Sequence, residues 1–140
     1  MQFWHRTGIA IALALLVVGT AGAQKRVDID LTRMSATFVY AQVFNMLVDQ
    51  ASYEGKTVRM RGAFLSFNYE ADDTIKKGYA CVIKDAAACC AQGLEFEMPA
   101  PLTYPDDFPA EGTEITVSGT FHTFHEGDYD RIALINAQFE

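Results

Sequence analysis

Positive charge is scarce in this chain, and what there is does not cluster. Eleven Lys and Arg stand against 18 Asp and Glu, a net charge of −7. Holding a phosphate backbone takes basic clusters, so nucleic acid is not an expected partner. The acidic balance suits an exported protein or one that handles cations. Beyond residue 18 there is no apolar run long enough to cross a bilayer. Internal repeats and low-complexity tracts are absent. Proline is limited to four residues, all between 99 and 109, which makes that stretch a loop. Cysteine is limited to three, with no Cys-x-x-Cys spacing. That removes the paired zinc signature and the usual dithiol redox motif.

What is present begins with residues 1–23, which have the three parts of a secretory signal. His5 and Arg6 form a short basic start, Ile9 to Val18 is apolar, and Ala21-Gly22-Ala23 is a small-x-small cleavage site. No cysteine follows the small residues, which argues against a lipid-anchored form. The expectation is a periplasmic or secreted protein with no stable membrane insertion after cleavage. The division is then 1–23 signal peptide, 24–34 extended arm and 35–140 single domain, long enough to fold on one core.

Within the domain the hydrophobic period changes once. Val39, Val43, Met46 and Leu47 follow helical spacing and predict a helix over Ser35–Gln50, capped by Thr32 or Ser35 and stopped at Gly55. From Lys56 the period is two. Strands are predicted at Thr57–Phe67, Tyr79–Lys84, Cys90–Met98, Glu114–Phe124 and Arg131–Phe139. Asn68–Lys77 reads as a polar connection, Asp85–Ala88 as a tight one, and Glu126-Gly127-Asp128 as a hairpin turn.

Two of these strands carry a mid-strand glycine, in Gly55-x-x-Val-x-Met-x-Gly62 and Gly112-x-x-Ile-x-Val-x-Gly119. Glycine at such points marks a bulge or a sharp bend. Five strands with a bent first strand resemble oligonucleotide/oligosaccharide-binding (OB) sequences. The expected fold is mainly β, a small five-stranded OB-like barrel with an N-terminal α-helix. OB domains commonly place a helix between the third and fourth strands, so here the helix is an added element that plugs one barrel end.

All three cysteines, Cys81, Cys89 and Cys90, fall within ten positions. Three chemistries fit. A Cys81–Cys90 or Cys81–Cys89 disulfide could staple neighbouring strands, leaving one thiol over. The three thiolates could instead hold a transition metal, zinc or copper, with Asp85, Glu95, His122 or His125 as a further ligand. A thiol redox centre would need a lowered thiol pKa. Buried, inert cysteines are the plain alternative. Tyr79, Phe121 and Tyr129 are candidates for a ligand-stacking face, although aromatics at such positions more often belong to the core.

The stretch Ala88-Cys-Cys-Ala-Gln-Gly-Leu-Glu-Phe96 adds something. Preceded by Cys81-Val-Ile-Lys-Asp85 and followed by Gly112-Thr-Glu-Ile-Thr-Val-Ser-Gly119, it resembles a group of small uncharacterised bacterial envelope proteins. It is similar, too, to the Cys-Cys-bearing OB-like domain of proteins that partner an inner-membrane permease. The resemblance spans Tyr40 to Gln138. It implies metal homeostasis, with zinc the expected ion, and carries over Cys81, Cys89 and Cys90. In the permease-partner domain an acidic residue follows the cysteine pair, where this chain has Ala91-Gln92. The resulting expectation is an exported, non-enzymatic protein that binds zinc at the cysteine cluster, with a membrane permease or metal transporter as partner. A disulfide-stapled ligand- or protein-binding module and a thiol redox protein remain the alternatives.

Overall fold

The computed structural model describes residues 26–71, 73–100, 102–126 and 129–140. The expected signal peptide, residues 1–23, and Gly127 and Asp128 of the expected turn lie outside the described residues. Six strands and one α-helix are described: β1 Ile29–Asp30, α1 Ala36–Val48, β2 Thr57–Ala71, β3 Thr74–Lys84, β4 Ala91–Phe96, β5 Glu114–Glu126 and β6 Tyr129–Phe139. A single 3-10 turn, Gln50–Ser52, follows α1.

The strands β2-β3-β4-β6-β5 close on themselves through β2–β5 pairing. Neighbours are antiparallel except β4 and β6, which run parallel at Glu95↔Ala133 and Phe96↔Leu134. This is the OB-like barrel. Its closure depends on β2 serving two neighbours: Thr57–Ala63 pair with β5, and Ala63–Ala71 pair with β3. The strand changes partners beside Gly62. A Cβ there would stand 2.5 Å from the Val82 carbonyl oxygen, so only glycine lets β2 pass β3 so closely. Gly119 has the same function in β5. A Cβ would lie 2.9 Å from Leu134 Cβ, and the β5–β6 register slips between Ser118 and Thr120.

The helix is two residues shorter than expected at its C-terminal end. Ser35 occupies the N-cap position without a side-chain hydrogen bond. Thr32 is turned the other way, its N–H and hydroxyl both donating to Oδ1 of Asp30. Val39, Val43 and Met46 are buried and join one core with Val58, Met60, Leu94 and Phe121. The N-terminal arm is not separate from this core. Ile29–Asp30 pair parallel to Val58–Arg59, Leu31 is 1% exposed, and Arg59 reaches Asp30 at 3.4 Å.

Two other elements differ from the sequence expectation. The supposed connection Asn68–Lys77 is paired almost throughout, from Asn68↔Lys77 to Ala71↔Thr74. Both faces of that ribbon meet solvent for most of its length, so its residues show no in–out alternation. The proline-bearing segment is a loop, as expected, and it has a packing role. Its Phe108 stacks on Tyr79 with ring centroids 4.1 Å apart and approaches Phe64 at 5.8 Å.

Candidate functional site

The turn joining β3 to β4 gathers Asp85, Cys89 and Cys90. Asp85 N–H donates to the Cys90 carbonyl at 3.0 Å, and Ala88 N–H donates back to the Asp85 carbonyl at 2.9 Å. Ala88 sits at φ +55°, a left-handed conformation that costs a non-glycine residue about 1–2 kcal/mol. With that turn in place the Asp85 side chain folds over the loop. Its Oδ1 accepts from Cys89 N–H at 2.9 Å, and its Oδ2 accepts from the Cys89 thiol at 3.1 Å. The two sulfurs are 3.5 Å apart. One ligand atom from each of the three residues lies within 4.8 Å of the others. Both cysteines are exposed and Asp85 is half-buried.

The electrostatics follow from these contacts. The Cys89 thiol hydrogen bond holds the Asp85 carboxyl below its ordinary value. In return, Asp85 and then the Cys90 sulfur hold the Cys89 thiol above its own. A carboxylate beside a thiol favours the protonated sulfur, the opposite of what a nucleophilic cysteine needs.

Cys81 is not part of this group. The strand register explains why. Cys81 opposes Leu94, not a cysteine, and Ile83 opposes Gln92 two residues further on. Asp85 and Cys90 come two residues beyond that. Four residues of strand put Cys81 about 13 Å from Asp85 along β3. Its side chain is fully buried in the core, and burial pushes its thiol up to about 12. All three cysteines are free thiols, and the cross-strand bridges expected from Cys81 have no partner in this register.

The histidines have other partners. His122 Nδ1 is 2.6 Å from Oε1 of Glu54, whose Oε2 accepts from Thr123 N–H at 2.9 Å. Burial opposes ionisation of Glu54, yet the His122 and Thr123 hydrogen bonds hold its carboxyl low. His125 Nδ1 is 2.6 Å from Asp130 Oδ1. Neither joins the Asp85 group among the described residues. Glu95 is held by Arg131 at 3.1 Å. Glu54 is 68 positions from His122, and no local signal in the sequence announces that pair.

The supposed stacking face is not one. Phe121 is fully buried against Tyr53, at 6.0 Å between centroids. Tyr79 is sandwiched among Phe64, Phe96 and Phe108, and burial, then the Tyr104 hydroxyl, raise its pKa. Tyr129 opens β6, and its side chain lies outside the described residues.

The donor set fits a tetrahedral, thiophilic ion. Zn–S bonds of about 2.3 Å at a tetrahedral angle put two thiolates about 3.8 Å apart, and a thiolate and a carboxylate oxygen about 3.5 Å apart. The observed separations of 3.5 and 3.1 Å are within a few tenths of an ångström of those values. One turn therefore gathers three groups that could serve as metal ligands. No protein-family model, curated protein or solved structure matches this chain.

Proposed function

We propose that this is an exported, non-enzymatic protein that binds zinc through Cys89, Cys90 and Asp85. It serves envelope metal homeostasis as accessory to a membrane transporter. The observation that carries the reading is the preassembled tripod, two sulfurs 3.5 Å apart with a carboxylate oxygen 3.1 Å from one of them. Soft thiolate with one carboxylate suits zinc better than a hard cation such as Ca²⁺ or Mg²⁺. The resemblance of the Cys-Cys segment to envelope proteins connected with zinc homeostasis supports the same ion. The signal-like segment 1–23 supports export, and with it a place outside the cytoplasm.

Three protein ligands leave one coordination position for water or for a donor from a partner. An exposed site with a free position suits passing a metal on rather than locking it in place. The raised Cys89 thiol weighs against the redox alternative, since an attacking thiol requires the opposite shift.

The test is a count of thiols by alkylation and denaturing mass spectrometry, with metal analysis of the same sample. The expected result is three free thiols and about one equivalent of zinc, with Cys89 and Cys90 shielded from alkylation until the metal is chelated. A protein that takes up no zinc, or whose Cys89 and Cys90 react equally fast with and without it, overturns the reading.

A further inference from the structure

The helix α1 buries one side through Val39, Val43 and Met46 and leaves the opposite side bare. At about 100° per residue, Thr37, Phe38, Ala41, Phe44, Asn45 and Val48 fall on one arc of about 120°. All six are exposed. Phe38 is 71% exposed, Phe44 52% and Val48 64%, and Met34, just ahead of the helix, is 44% exposed. Among the described residues the other exposed large hydrophobics, Leu65 and Ile75, are on β2 and β3. The apolar exposure is therefore concentrated on one helix, and a contiguous patch of that kind marks a contact surface.

The pattern is self-complementary. With a second α1 crossing antiparallel at Ala41, residues equally far from Ala41 meet across the pair. Phe38 and Phe44, three positions to either side, face each other, and Met34 meets Val48 seven positions out. Thr37 meets Asn45, so polar also meets polar. Arg33 and Asp49, both exposed and eight positions out, bring opposite charges together at each end. The small Ala41 stands at the crossing, where the side chains set how closely two helices approach.

Charge narrows the choice of occupant. The helix Ala36–Val48 has no charged residue in a chain of net charge −7, so two copies meet here without like charges touching. Helices that lie on lipid carry Lys and Arg along their polar face. This one has neither, and the acidic chain is repelled by anionic lipid.

We propose that this face pairs two copies of the chain, antiparallel about Ala41, in an isologous two-fold contact. At about 200 Å² for a large side chain, the four exposed fractions come to roughly 450 Å² of apolar surface on each copy. Over both copies that is about 900 Å², just under the 1,200 Å² or so at which stable specific interfaces begin. The pairing is thus a reversible one, and it does not depend on the zinc reading.

The experiment is sedimentation equilibrium of the purified protein without detergent, from micromolar to millimolar concentration, with its N-terminus read by mass spectrometry. The expected result is a monomer–dimer equilibrium with no larger species. Ala41→Glu puts like charges at the crossing and should weaken the dimer at least about 100-fold. Its unfolding midpoint in dilute solution should equal that of wild type. Arg33→Asp and Asp49→Arg should each weaken the dimer about two- to tenfold, and the two together should restore it. This reversal pair lies outside the helix and reads the contact even where Ala41→Glu disturbs the fold. A wild-type chain that stays monomeric overturns the inference, whether the face then holds a retained segment 1–23 or binds phosphatidylcholine vesicles. So does a correctly folded Ala41→Glu protein that dimerises like wild type. A double reversal that fails to restore the dimer overturns it too, because the contact is then not antiparallel about Ala41.

Discussion

Cys89 donates its thiol hydrogen to Oδ2 of Asp85 across 3.1 Å, and each residue holds the other away from its ordinary protonation range. The carboxylate favours the protonated sulfur. On the proposed reading, a metal ion would have to displace that proton to reach the sulfur. The same pair disfavours the thiolate and belongs to the group that could hold a metal ion.

Replacing Asp85 with Asn tests this directly. The uncharged side chain no longer favours the protonated sulfur, so the Cys89 pKa falls. One pKa unit changes the thiolate fraction about tenfold, so alkylation of Cys89 by iodoacetamide at pH 8 should become several-fold faster. Zinc affinity should fall in the same variant. A Cys89 that reacts no faster after the substitution would show that Asp85 does not control it.

The turn itself should respond to acid. The folded-state pKa of Asp85 lies below the ordinary 3.8, so its hydrogen bonds stabilise the turn at pH values above 3.8. That contribution is lost as pH falls through the lowered value. Amide exchange at Cys89, whose N–H donates to Oδ1, should be protected at pH 5 and lose that protection in strong acid before the barrel strands do. Equal protection at both pH values would place the stabilisation elsewhere.

Cys81 should behave as a core side chain. In the native protein without metal, two thiols should react with a maleimide and the third only after unfolding. Its pKa, raised from 9.0 to about 12, has a stability consequence. Above pH 9 the unfolded thiol ionises and the folded one does not, so stability falls with rising pH across that interval. The expected slope is roughly 1.4 kcal/mol per pH unit from this one group. Cys81→Ala should remove that slope, cost about 1–2 kcal/mol of stability, and leave zinc binding intact. A loss of zinc binding in Cys81→Ala would return Cys81 to the ligand set.

Gly62→Ala should damage the barrel more than any change on its surface. The added methyl would meet the Val82 carbonyl oxygen at 2.5 Å, where backbone must move to relieve it. A loss on the order of 2–4 kcal/mol is expected in urea unfolding. A loss under about 0.5 kcal/mol, the range of an ordinary surface substitution, would mean that β2 and β3 are not in this contact.

Much of the fold could be read along the chain because its signals are local. Val39, Val43 and Met46 repeat at helical spacing, and Gly62 and Gly119 interrupt alternating strands, so the helix and both bends follow from near neighbours. The hairpin ribbon beyond Asn68 escaped because its pairing leaves most of both faces in water and therefore no pattern. The site was half legible. Cys89, Cys90 and Asp85 are joined by one tight turn, and short spacing was enough to bring them together.

Cys81 is closer in sequence to Asp85 than Cys90 is, yet it is the cysteine the site does not use. On a strand, four residues are a long distance, whereas five residues of turn bring the chain back on itself. His122 was a plausible ligand by type, and it is tied instead to Glu54, 68 positions away. The sequence by itself determined the barrel, the helix and the turn that holds two thiols and a carboxylate, because these depend on period and on residues a few positions apart. Tertiary structure alone decided which cysteine is buried and which histidines are engaged. Those outcomes depend on strand register, and register is settled only when the core is packed.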